Sequence, residues 1–69
     1  MNRKQFRSAL DDLGWNYNAA ARALGISWRT CARFAADGCN DEPTARLLRA
    51  LLILHATSRA AFNRVMEQL

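Results

Sequence analysis

Two arginines four residues apart, Arg29 and Arg33, stand in the segment Trp28-Arg29-Thr30-Cys31-Ala32-Arg33-Phe34. On a helix, residues at i and i+4 share one face. If Cys31 and Phe34 point inward, Arg29, Ala32 and Arg33 fall on the outer side, beside Trp28 at the helix start. The planar guanidinium fork pairs bidentately with carboxylates, phosphates or the O6 and N7 atoms of guanine. A small Ala32 between two such side chains lets a helix lie close to whatever they touch. A plainer use of the pair is a solvated face, with Arg33 near Asp37. Trp28 has two uses open to it: stacking on a sugar or a thymine methyl, or covering the junction with the first helix.

Other chemistries lack their residues. Cys31 and Cys39 are eight apart with no CxxC pattern, and His55 is the single histidine. Structural zinc sites need four ligands in paired spacing, so no metal and no cofactor is expected, and the thiols read as reduced, with Cys31 a small buried hydrophobe. No nucleophile–base pair and no glycine-rich phosphate loop is present, which argues against an enzyme. Nor does an apolar segment of secretory-signal type follow the basic N-terminal residues. The longest apolar run, Ala50-Leu51-Leu52-Ile53-Leu54, is far short of a membrane span. A cytoplasmic, bacterial or phage-encoded protein is the expectation.

The elements that must position the arginines can be read from caps and periodicity. Asn2 is a capping residue for a first helix that ends near Leu13, with Gly14 as its stop and Phe6, Ala9, Leu10 and Leu13 as its inward stripe. The charged set Arg3, Lys4, Arg7, Asp11 and Asp12 reads as its solvated side. Asn16 caps a second helix, Tyr17 to Leu24, with Trp15 and Ala20 spaced as a hydrophobic staple. Gly25 ends it in the left-handed conformation, and Ser27 caps a third helix, Trp28 to Ala36, closed by Gly38. A single helix across Gly25 would cost about 1 kcal/mol there relative to alanine; two helices explain Gly25, Ile26 and Ser27 together. Pro43 opens a fourth helix reaching about His55. Thr57 or Ser58 caps a fifth, about Arg59 to Gln68, with Ala61, Phe62, Val65, Met66 and Leu69 inward. The sum is an all-α, compact five-helix domain over residues 1–69, without repeat, linker or strand.

Within it, Ala20, Ala21, Leu24, Ile26, Cys31 and Phe34 converge on one junction, with Ala21 small where the third helix crosses the second. On Ala21, Gly25, Leu24, Ile26, Cys31, Phe34 and Gly38 the stretch from about 17 to 36 resembles the helix-turn-helix of the phage repressor and Cro family. The five-helix layout extends that likeness over most of the chain, as a lambda-repressor-like domain. The resemblance implies that the third helix lies in the major groove of double-stranded DNA, with Trp28, Arg29, Ala32 and Arg33 reading bases. Trp28 departs from the small polar residue common there. Phosphate contacts would come from the start of the second helix, Asn16, Tyr17 and Asn18, where free N–H groups attract anions. Arg22, Asn40 and Thr44 join them as further candidates.

A net charge of +4 with an isoelectric point near 10.1 fits a polyanionic partner. A chain of this length buries only about 60% of its unfolded surface, so it is a marginal monomer or an oligomer. The fourth helix is apolar over more than half its circumference. Residues 43–68 therefore read as core plus dimer interface, with Leu48, Leu52, Phe62 and Met66 facing a second copy and two third helices spaced one DNA turn apart. The expectation is a dimeric regulator of phage or mobile-element type, most simply a repressor with a two-fold symmetric operator. The competing expectation is a helical protein–protein module, or an antitoxin-like partner, using the apolar fourth helix. No small-molecule ligand is indicated.

Overall fold

Four of the five helices in the computed structural model, which describes residues 1–69, begin at a side-chain cap, and the fourth begins at Glu42-Pro43 without one. There are five helices and no strand: α1 (Arg3–Leu13), α2 (Tyr17–Leu24), α3 (Trp28–Asp37), α4 (Glu42–Thr57) and α5 (Arg59–Gln68). Asn2 Oδ1 accepts from the Gln5 amide at 2.8 Å, while Gln5 Oε1 accepts from the Asn2 amide at 2.9 Å. This reciprocal box satisfies two amides that the first turn leaves free. Single caps open α2, α3 and α5: Asn16 accepts from Ala19 at 2.8 Å, Ser27 from Thr30 at 3.0 Å, and Ser58 from Ala61 at 3.2 Å.

α2 stops at Gly25, whose φ of +70° is open to glycine at low cost. The amides of Gly25 and Ile26 both turn back to the Ala21 carbonyl, so three residues suffice to reverse the chain into α3. The α2–turn–α3 unit therefore takes the boundaries that the caps imply, with α3 one residue longer than expected.

α4 differs more. It begins at Glu42, one residue before Pro43, and runs to Thr57 rather than His55. Thr57 is helical, with its hydroxyl donating to the Ile53 carbonyl at 2.8 Å, and Ser58 caps α5.

The core is built around α4. α1 packs on α3 and α4, α2 packs on α3 and α4, and α5 packs on α4. Phe6 and Phe34 meet edge to face, centroids 5.8 Å apart, among Leu10, Cys31, Leu48 and Leu51. Three neighbours consume most of the apolar circumference of α4, and this corrects the expected dimer surface. Leu48 is 0% exposed and Phe62 is 7% exposed, so both belong to the core of one chain. Leu52 and Met66 are half-buried against that core. The large apolar side chains left outside from α4 to the C-terminus are Ile53, 65% exposed, with Val65 and Leu69. α5 likewise buries fully only Phe62 of its five expected inward residues, because α4 is its main support.

A further tie was not expected. Cys39 N–H donates to the Met1 carbonyl at 2.8 Å, and the Met1 amino group donates to the Cys39 carbonyl at 3.2 Å. Gly38, at φ +99°, makes room for this: a Cβ there would lie 3.2 Å from the Met1 oxygen. The chain start is thus laid across the end of α3. No helix is long and apolar enough to cross a membrane.

Candidate nucleic-acid interface

α3 has an apolar underside and a cationic outer side. Cys31, Phe34 and Ala35 are buried, whereas Trp28, Arg29 and Arg33 are exposed and Ala32 is half-buried. Burial pushes the Cys31 thiol up from its ordinary range, so it is neutral and acts as a hydrophobe beneath the helix. Arg29 and Arg33 have no carboxylate partner: the ion pairs of the chain join Glu42 to Arg46 at 3.9 Å and to Arg49 at 3.4 Å, both on the surface of α4. Asp37 does not pair with Arg33, whose guanidinium lies 6.0 Å from the Phe34 ring centre. Both cations of the α3 face are therefore free to meet an anion or a base edge.

A groove of about 490 Å³ lies where the starts of α2 and α3 meet α1. Asn16, Tyr17, Asn18 and Trp28 line it together, joined by Arg7, Asp11 and Trp15. Asn16 is committed to its cap through Oδ1. Tyr17 is half-buried and presents its ring to Trp28, centroids 6.0 Å apart at 63°. Trp28 remains 55% exposed, so it does not close the junction with α1. That junction is filled instead by Phe6, Leu10 and Phe34. Trp15, the other indole, reaches across to Phe62 of α5, centroids 6.5 Å apart.

The remaining phosphate candidates are scattered. Arg22 is exposed but faces the α5 side, where it lines a concavity with Ala19, Met66 and Leu69. Asn40 shares a surface hollow with Arg33, and also with Asp37 and Asp41, whose carboxylates oppose an anion there. Thr44 is buried and its hydroxyl donates to the Asp41 carboxylate. It therefore does not face a phosphate, a correction with a plain cause: Thr44 stands four residues before Leu48 and seven before Leu51, on the inward stripe of α4.

Arg7 lies exposed on the solvated side of α1, as expected, but it also makes a contact that the sequence did not announce. Its Nε donates to the Ala35 carbonyl at 2.6 Å. The amide four residues on from Ala35, that of Cys39, is spent on Met1, and α3 carries no basic residue in its last turn. A cation from α1 thus completes the C-terminal end of α3, where the helix dipole favours positive charge. The missing base in Phe34-Ala35-Ala36-Asp37 was the one available signal. The anchored Arg7 also walls the groove beside Trp28 and Asn18.

No group of three or more His, Cys, Asp or Glu side chains is disposed to hold a metal. No protein-family model matches the chain, and neither does any curated protein or solved structure.

Proposed function

We propose that this chain is a sequence-specific double-stranded DNA-binding regulator that lays α3 in the major groove. The observation that carries the reading is the pair Arg29 and Arg33, side by side, exposed and free of carboxylates, on a short helix held by a three-residue turn against α2. Arginine forks in this disposition match guanine O6 and N7. The start of α2, with Asn18 and the free N–H groups of its first turn, lies at the same groove as the start of α3 and serves to hold a phosphate. In this reading α2 positions the protein on the backbone and α3 reads the bases.

Two copies on an operator with two-fold symmetry would set their α3 helices about 34 Å apart, one DNA turn. The second copy would meet the exposed Ile53 rather than Leu48 or Phe62, which are already spent in the core. Repression by blocking polymerase is the simplest outcome for so small a chain, of the kind phages and mobile elements use.

Selection of bound sequences from random duplex DNA tests the reading. The expected result is an enriched motif with two half-sites, and an affinity that falls with salt at about 0.9 in log K per phosphate neutralised. No enriched sequence, or binding indifferent to salt, overturns it. The exposed Ile53, Val65 and Leu69 favour one other reading, a helical module or antitoxin-like partner that binds protein through α4 and α5. That reading predicts an unenriched selection.

A further inference from the structure

The two arginines account for the charge of the α3 face but not for the indole beside them. Trp28 exposes 55% of its surface at the first position of α3, where a soluble domain has every reason to carry a polar residue. It is not loose. Tyr17 meets it edge to face from α2, a contact that favours this orientation of the ring. Its chain neighbour Arg29 is unpaired, and Arg7 lines the same groove. An apolar plate with the unpaired Arg29 as its chain neighbour, and with the anchored Arg7 and Asp11 in the groove beside it, fits a ligand that is anionic overall and apolar at one point.

We infer that Trp28 covers the C5-methyl group of a pyrimidine in the major groove, an inference that rests on the DNA reading above. The chemistry of the groove narrows the choice. Base edges there present N7 and carbonyl acceptors and amino donors, and the C5-methyl group is their one apolar feature. An indole laid over a cytosine or guanine edge would strip water from polar atoms and return at most one N–H donor. Laid over a methyl group it gains the burial of both surfaces at no polar cost. A phosphate has no use for an uncharged ring while arginines stand beside it. The same methyl group is carried by thymine and by 5-methylcytosine, so Trp28 selects for either at the base step next to the one that Arg29 reads.

The test begins with the motif selected by the intact protein. Each thymine in it is replaced in turn by deoxyuridine, which removes only the methyl group, and each cytosine by 5-methylcytosine, which adds one. The series is repeated with Trp28→Ala and Trp28→Phe, whose folding is checked by circular dichroism. The expected result is one position at which uracil weakens the intact protein about fourfold, the worth of one buried methyl-sized group. That sensitivity disappears in Trp28→Ala and persists in Trp28→Phe. A gain of the same size on cytosine methylation, with no uracil effect, identifies 5-methylcytosine as the source instead. If no position responds to the methyl group, or if Trp28→Ala retains the response, the inference is overturned while DNA binding stands. If selection yields no motif, the DNA reading fails and takes the inference with it.

Discussion

An arginine that is to read a base must reach the groove without a carboxylate holding it back. Arg29 and Arg33 meet that condition, since Glu42 engages only Arg46 and Arg49. Replacing Arg33 by alanine is expected to cost about 1–3 kcal/mol of affinity for the selected site, with loss of preference at one base pair. Titration against matched and single-mismatch duplexes measures both, and an unchanged preference would remove Arg33 from direct readout. Arg33→Lys keeps the charge without the fork, so it should recover affinity but not preference. The i, i+4 spacing made this pair legible in the sequence, because the inward Cys31 and Phe34 fix the phase of α3. The inward facing of Thr44 was legible in its spacing to Leu48 and Leu51, whereas the bond of its hydroxyl to the Asp41 carboxylate was not. Arg7 depended on a partner 28 residues away, and no local pattern announces that.

Capping chemistry fixes most of the helix boundaries, and capping is local, which is why Asn2, Asn16, Ser27 and Gly25 could be placed from the chain alone. Gly25 and Gly38 look alike in the sequence but do different work. At Gly25 a Cβ would meet nothing within 4 Å, so Gly25→Ala carries only the left-handed backbone cost, about 1–2 kcal/mol. At Gly38 the added carbon would also press on the Met1 oxygen at 3.2 Å and the Arg3 amide nitrogen at 3.3 Å, backbone atoms with little freedom to yield. Gly38→Ala is therefore expected to destabilise the chain more than Gly25→Ala. Urea unfolding of the two variants decides it, and an equal loss would show that the strap over α3 yields freely. That strap joins residues 38 apart, and for that reason periodicity and capping gave no hint of it.

At the scale of the molecule, the apolar excess of α4 was visible in the sequence but its destination was not. A helix touched by α1, α2 and α5 has room for more hydrophobes than one packed on a single side. Leu48→Glu should consequently unfold the chain, since it places a charge at a fully buried position. If two copies pair through α4, as proposed, Ile53→Glu should leave the helical signal intact and shift sedimentation from dimer to monomer. A monomeric parent protein, or an Ile53→Glu variant that still dimerises, would remove α4 from the interface. The support of α5 has one more consequence. Phe62 alone is fully buried there, clasped between Trp15 and His55, the latter at 4.9 Å between ring centres. A helix with one fully buried side chain, and Met66 half-buried beside it, is expected to open before the rest of the domain unfolds. Its amide protons should trade with deuterium well before those of α1 and α4. If a second copy closes over this end of the molecule, that exchange slows with protein concentration, and the slowing would date the moment α5 stops breathing.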